Sequence, residues 1–316
     1  MGAMRIVYLG TPAFAVPALE ALSAAGHELL AVVAQPDRPA GRGQALRPPP
    51  TKIWAAAHGV PVLQPEKVRD GSLAAALAPL RPDVLAVAAY GRILGADLLG
   101  LAPYGAVNVH ASLLPRWRGA APIQWSLASG EAETGVSLML MDEGLDTGHV
   151  LLQRVERILP SDTAETLSER LADLGGRALV EALDLVARGA VVAVRQDEAR
   201  ATKARLIEKE DGRVDFTRGA AAVAHRLRAF TPWPGATTSH GGRPLKLVEA
   251  RQASAAGLPP GAAPGHAVVV PGEGLLVACG GGTALLVTRV QPEGRAAVAA
   301  ADFANGLRAR SLTLGT

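Results

Sequence analysis

Through the first half of the chain, short and almost wholly apolar runs recur, separated by helical patterns. Arg5 to Gly10, Leu29 to Ala34 and Val84 to Ala88 lack the polar alternation of a one-sided sheet, and Pro12 to Ala25, Thr51 to His58 and Ser72 to Leu80 between them read as helices. Strands apolar on both faces must be covered on both faces, which calls for helical crossovers and parallel pairing. The pattern therefore predicts an α/β domain with a Rossmann-like, doubly wound, mostly parallel sheet. Ligands of such sheets bind beyond the carboxyl ends of the strands, so the loops after Gly10, Ala34, Ala88 and His110 are where chemistry is expected. The long amphipathic stretch Glu165 to Arg188, stopped by Gly189, closes a first domain over residues 1–189.

With 316 residues, the chain is long enough for a second domain. Residues 190–205 are irregular and charged and suit a linker, whereas 206–316 combine a helical pattern at Gly219 to Phe230 with short apolar runs at Leu245 to Val248, His266 to Val270, Leu275 to Ala278 and Ala284 to Val290. Short strands broken by Gly and Pro turns predict a small β-barrel. The Ala-Gly-Pro stretch from Ala250 to Gly265 reads as a loop. Charge separates the two regions: residues 1–205 hold 20 Lys+Arg against 21 Asp+Glu, and residues 206–316 hold 12 against 8. A basic last third suits a polyanionic partner, although charge alone is equally compatible with a solvated surface. Aromatics make up 3% of the chain, which argues against base stacking as the main binding mode. A single cysteine, Cys279, excludes an intrachain disulfide framework and a Cys-cluster zinc site, and points to a reducing, cytoplasmic setting. No apolar run approaches the length of a membrane span.

Three constellations carry chemistry. In Asn108-Val109-His110-Ala111-Ser112-Leu113-Leu114-Pro115, Asn108 and His110 stand two residues apart on a predicted strand, Ala106 to His110. They therefore project from one face, about 6.6 Å apart along the chain. An amide donor and an imidazole so spaced can bracket a carbonyl whose oxygen gains negative charge. The acidic loop Met141 to Gly148 follows a strand-like Gly135 to Leu140 and lacks EF-hand spacing. Its Asp146 either orients His110 as a carboxylate partner or is an ordinary turn aspartate; spacing alone does not choose between them. The third is the connection Gln35 to Pro50, long for an α/β unit, in which Gly41 and Gly43 flank Arg42. An arm carrying Arg38, Arg42 and Arg47 could close over a phosphate-bearing partner. Arg116 and Arg118 take solvation as their default reading. Neither a G-x-G-x-x-G nor a Walker sequence follows the first strand, which reads Gly10-Thr11-Pro12, so a dinucleotide or ATP site lacks its usual loop.

Taken together, these motifs resemble those of the methionyl-tRNA formyltransferase family. The likeness runs through Gly10-Thr11-Pro12, Gln35 to Gly43, Ala89-Tyr90-Gly91, Asn108 to Trp125, Met141 to Gly148 and Thr231-Pro232-Trp233-Pro234-Gly235, and is least clear after Val248. The Asn-x-His-x-Ser-Leu-Leu-Pro stretch is shared with other 10-formyltetrahydrofolate enzymes, whereas the Pro39 to Gly43 loop and the basic last third narrow the acceptor to initiator methionyl-tRNA. The resemblance implies a catalytic set of Asn108, His110 and Asp146. It implies a folate-contacting set of Tyr90, Gly91, Ser112, Leu113, Leu114, Pro115 and Asp142, and a tRNA-contacting set of Arg38, Arg42 and Arg47. It further implies an OB-like carboxyl-terminal domain over 206–316, 10-formyltetrahydrofolate as co-substrate, no metal and no membrane partner. The acceptor chemistry is consistent, because an α-amino group with a pKa of about 7.7 is partly neutral at pH 7 and can attack without a covalent enzyme intermediate. Two rivals are a folate-dependent enzyme acting on a sugar-nucleotide amine or hydrolysing the folate, and a non-catalytic RNA-binding protein. The latter has no reason to set Asn108, His110 and Asp146 at neighbouring strand ends.

Overall fold

The structure, a computed structural model, describes residues 2–40 and 45–315 and divides into two compact units. The first comprises Met1–Pro122, Glu133–Arg157 and Ser168–Arg205, and the second Ile123–Ala132, Ile158–Leu167 and Leu206–Thr316. Strands of the first unit are, in chain order, β1 (Arg5–Gly10), β2 (Glu28–Val33), β3 (Arg38–Ala40), β4 (Ala45–Arg47), β5 (Val62–Leu63), β6 (Val84–Ala88), β7 (Ala106–His110), β8 (Arg118–Gly119), β9 (Glu133–Leu140), β10 (Val150–Arg157) and β11 (Lys203–Ala204). Seven of them form one sheet in the order β10-β9-β7-β6-β1-β2-β5. From β5 to β7 the pairing is parallel, as the apolar runs predicted, and β9 and β10 add antiparallel strands at one edge.

Every residue of β6 and β7 is buried. Val7, Leu9, Leu77, Leu85, Leu94 and Leu98 share one core cluster, each such side chain contributing about 1.5–3 kcal/mol on burial. Helices α1 (Val16–Ala24), α2 (Pro50–Ala57), α3 (Ser72–Leu77), α4 (Ala96–Leu99), α5 (Pro122–Ala128) and α6 (Ala164–Ala187) punctuate the strands. The helix expected over Pro12 to Ala25 begins as a 3-10 turn at Ala13–Ala15, and the one over Ser72 to Leu80 ends as another at Ala78–Leu80. Two glycines let α6 pack closely, Gly175 against the sheet and Gly176 against α1. A Cβ on Gly175 would stand 2.7 Å from Val109 Cγ1, and one on Gly176 would stand 2.8 Å from the Pro17 carbonyl oxygen. Val109 thus points to α6, and strand alternation sends Asn108 and His110 to the opposite face.

The second unit is built on α7 (Ala220–Ala229), β12 (Ala236–His240), β13 (Arg243–Ala253), β14 (His266–Val270), β15 (Gly274–Cys279), β16 (Thr283–Pro292), β17 (Val298–Ala299), α8 (Ala300–Gly306) and β18 (Ser311–Thr313). Its sheet is antiparallel, in the order β12-β13-β16-β15-β14-β18 with β17 on β16. Register shifts around Glu249 bend β13, and bulges of this kind curl a sheet. The stretch from Ala250 to Gly265 is accordingly not all loop, because Ala250 to Ala253 pair with β16. Val223 and Leu227 of α7 pack on Leu245, Val277, Leu285 and Val287, and the sheet ends meet where Gly315 N–H donates to Ser239 O at 2.9 Å. The result is a curled antiparallel half-barrel. No helix among the described residues is long and apolar enough to cross a membrane.

Candidate active site

Strand β7 lies between β6 and β9, with Asn108 opposite Val87 and Met139 and His110 opposite Ser137. Its carboxyl end delivers Asn108 and His110, which are 9% and 5% exposed. The two commit their polar atoms differently. No described residue gives the Asn108 amide a hydrogen-bond partner, and the amide does not figure among the buried unpaired groups. The His110 ring is held at both nitrogens: Nε2 lies 3.0 Å from the Trp117 carbonyl oxygen, and Nδ1 lies 3.6 Å from Asp146 Oδ2. A neutral ring can donate from only one of those nitrogens.

Asp146 therefore stands beside His110, so the carboxylate-partner reading of that residue has a geometric basis. It sits in the left-handed region at φ 56, and its Oδ2 accepts the Gly119 N–H at 2.8 Å. The loop folds on itself: Leu140 N–H donates to His149 O, and Asp142 Oδ1 accepts from Gly144 N–H at 3.0 Å and Thr147 Oγ1 at 2.7 Å. Asp142 thus shapes the turn, exposed, while Asp146 faces the imidazole.

The residues expected to contact folate are not gathered uniformly. Ser112 is fully buried and donates to Arg116 O, and Leu114 is buried with its N–H on Ser137 Oγ and its carbonyl accepting from Gln153. The Ser112 hydroxyl and the Leu114 backbone brace the turn, leaving the half-buried Leu113 and Pro115 as its more accessible members. Tyr90 is buried in the core, where desolvation raises its pKa, and its phenolic oxygen has no partner among the described residues. Its carbonyl accepts from Gln35 Nε2 at 2.8 Å. Gly91 follows at φ 75 and is exposed. Beside it opens a cleft of about 540 Å³ lined in part by Lys67, Arg69, Arg92 and Ile93, within the size range of small-molecule sites.

The long connection contains a hairpin, with Arg38 of β3 opposite Arg47 of β4. Arg38 donates to Gln35 Oε1 at 2.5 Å, and Arg47 is exposed. Arg42 lies outside the described residues. The hairpin's base is anchored by Asp37, which accepts from Gln64 and Lys52 and is held below the usual carboxylate range first by the Gln64 bond and then by Lys52. The solvated default fails for Arg118. It is 8% exposed, donates to both oxygens of Glu198 at 2.8 Å and is held more firmly protonated chiefly by that bond, against the opposing effect of burial. Sequence reasoning also missed Gln196, Thr202 and the Trp117 carbonyl. The one available signal was an arginine set in the apolar run Trp117 to Trp125.

Residues 4–183 match the family model described as formyl transferase, and 206–308 match that described as formyl transferase, C-terminal domain. A Rossmann-like sheet followed by a curled half-barrel is thus the architecture of one known class, and the chain belongs to the formyl transferase family. It is similar to a methionyl-tRNA formyltransferase of Anaeromyxobacter sp. (strain K), 69% identical over 313 residues, covering 99% of this chain and 100% of the relative. It is likewise similar to a methionyl-tRNA formyltransferase of Myxococcus xanthus (strain DK1622), at 49% identity over 306 residues, 97% of this chain and 96% of the relative. In fold it is similar to HypX from Aquifex aeolicus in complex with tetrahydrofolic acid, with a TM-score of 0.64, 18% identity and coverage of 96% of this chain and 47% of that one.

Proposed function

We propose that this chain transfers the formyl group of 10-formyltetrahydrofolate to the α-amino group of methionyl initiator tRNA, in the cytoplasm, for translation initiation. The observation that carries the chemistry is an uncommitted, nearly buried amide, Asn108, one strand pleat from an imidazole paired with a carboxylate. The acceptor identity is supported by relatives of that name which align along nearly the whole chain.

The donor set suits a folate. The cleft beside Gly91 has room for a fused ring and aryl group, and although Glu66 and Asp70 share its wall, Lys67, Arg69 and Arg92 leave it one positive charge in excess, which suits the carboxylates of such a ligand. When bound, the folate supplies an activated formyl group whose carbonyl oxygen gains charge as the amine attacks. Asn108, as the free donor, would hydrogen-bond that oxygen, and such a donor contributes about 10² to 10³ in rate. His110 would join it by exchanging the Trp117 carbonyl for the substrate, with Asp146 holding Nδ1. Once so exchanged, Nε2 would give its proton to the leaving nitrogen as the C–N bond breaks and recover one from the attacking amine, directly or through a bound water, so that the ring ends as it began. Tyr90 and Gly91, with Ser112 to Pro115 and Asp142, would form the folate wall, Leu113 and Pro115 by side chain and Ser112 and Leu114 by bracing it. Arg38, Arg42 and Arg47 would meet the acceptor stem. In this reading residues 1–189 bind folate and catalyse, 206–316 bind tRNA, and 190–205 join them.

The test is formyl transfer to initiator methionyl-tRNA beside a sugar-nucleotide amine at matched concentrations. Transfer to the tRNA alone is expected; equal activity on both removes tRNA specificity.

A further inference from the structure

We propose that residues 194–204 are not only a connector but a clamp that positions His110 from both sides, a reading that rests on formyl transfer by Asn108, His110 and Asp146. The stretch is stitched along the site. Val194 and Val150 exchange backbone hydrogen bonds at 2.8 and 2.9 Å, and Lys203 and Ala204 pair in parallel with Arg118 and Gly119.

Between those anchors, two side chains reach the partners of the imidazole. Gln196 Nε2 donates to Asp146 O at 2.9 Å and to Gly148 O at 2.7 Å, and its Oε1 accepts from Arg118 Nε at 3.0 Å. That last bond fixes which way the amide points, because Arg118 can only donate. Glu198 locks the rest of the Arg118 guanidinium. Thr202 Oγ1 accepts the Trp117 N–H at 2.8 Å, and Thr202 O accepts from Arg118 N–H at 2.9 Å. Asp146 and Trp117 are the two residues that face His110 Nδ1 and Nε2. Both hold left-handed backbones, at φ 56 and 60, which L-residues adopt rarely unless their surroundings impose it. The clamp grips each at a backbone atom, so it sets where the carboxylate and the carbonyl stand, and through them the ring. Gln196, Arg118, Glu198 and Thr202 are positioning residues.

The test measures kcat and both KM values for Gln196→Ala, Gln196→Glu and Thr202→Val in the full chain, alone and combined with Asp146→Asn. Gln196→Glu keeps the shape but turns an oxygen toward the Asp146 and Gly148 carbonyls, so it serves if the alanine variant fails to fold. We expect kcat to fall about 10- to 100-fold for either Gln196 variant, with both KM values within about twofold, since misplacing a catalytic group by an ångström costs on that order. Thr202→Val should lose less, and Thr202→Ser should restore it. In the Asp146→Asn background a Gln196 variant should add under about twofold, because coupled positions are not additive. Parent-like kcat for both Gln196 variants, or an undiminished penalty beside Asp146→Asn, overturns the clamp. If Asp146→Asn itself turns over at the parent rate, both the clamp and the catalytic assignment fail. If it is impaired and the Gln196 variants are not, only the clamp fails.

Discussion

Replacing Asn108 by Ala separates a catalytic amide from a structural one. A buried amide that serves the fold has partners, and removing it orphans them at about 1–3 kcal/mol each. Asn108 has no hydrogen-bond partner among the described residues, so its loss leaves nothing orphaned, and stability should move by less than about 1 kcal/mol. In the proposed role of donor to a developing oxyanion, the same amide would be worth about 10² to 10³ in rate, or roughly 2.7–4 kcal/mol of barrier. The barrier change should therefore exceed the stability change severalfold. Asn108→Asp should fall further than the alanine variant, since it replaces the donor by an anion facing a charge of its own sign. Single-turnover formyl transfer with folate and tRNA saturating isolates the chemical step, and urea unfolding supplies the stability difference. An Asn108→Ala chain within about threefold of the parent rate refutes the reasoning. Equal losses of rate and stability would give the residue a packing role instead.

Leu85, fully buried in β6, should cost about 2–5 kcal/mol of unfolding free energy when cut to Ala, read by urea denaturation. Burial pushes the Cys279 thiol from 9.0 up to about 11, so its thiolate fraction at pH 8 should be about 100-fold below that of an ordinary thiol, and Ellman's reagent should label it only after unfolding. Because that folded pKa is raised, its contribution to stability is whole below pH 9.0 and is lost as pH climbs toward about 11, which a urea midpoint series across that window checks. Binding of tRNA should weaken at least about tenfold between roughly 50 and 200 mM salt, while the KM for folate changes little; matching salt responses would remove the basic last third from tRNA recognition. Gly119→Ala, at φ 123 with its new Cβ 2.5 Å from the Ala204 carbonyl oxygen, should destabilise by more than about 1 kcal/mol and slow turnover, since β8 and β11 must part to admit it; unchanged unfolding would show that the contact relaxes.

The contrast between β6 and β10 shows which parts of the fold the sequence reveals. Val84 to Ala88 and Ala106 to His110 are flanked by strands on both sides, so every position is buried; the apolar run marks both ends of the first, and only Asn108 and His110 interrupt the second. Val150–Arg157 lies at the sheet edge, where exposed Gln153, Val155 and Arg157 alternate with partly buried Leu152, Arg154 and Glu156, so polar residues fall on both faces and mask the strand. Pro39 similarly conceals the hairpin of β3 and β4, because proline removes a ladder donor and is tolerated there only since the pair stands apart from the main sheet.

The site divides along a different line. Asn108 and His110 are legible because a period of two places both on one face whatever else the chain does. Their surroundings are not, because the groups that orient His110 include a backbone carbonyl at Trp117 and a backbone N–H at Gly119, and no residue type announces that its main chain is the functional part. Left-handed Trp117 and Asp146 compound this, since neither is the glycine that would flag such a conformation. Arg118 reads as solvated because isolated charges usually are, and the partners that make its burial tolerable, Gln196 and Glu198, lie 78 and 80 residues away. A candidate catalytic side chain can thus be read from local spacing, while the geometry around it is held by long-range bonds to main-chain atoms. Variants in 194–204 therefore test whether that geometry, and not residue identity alone, sets the rate.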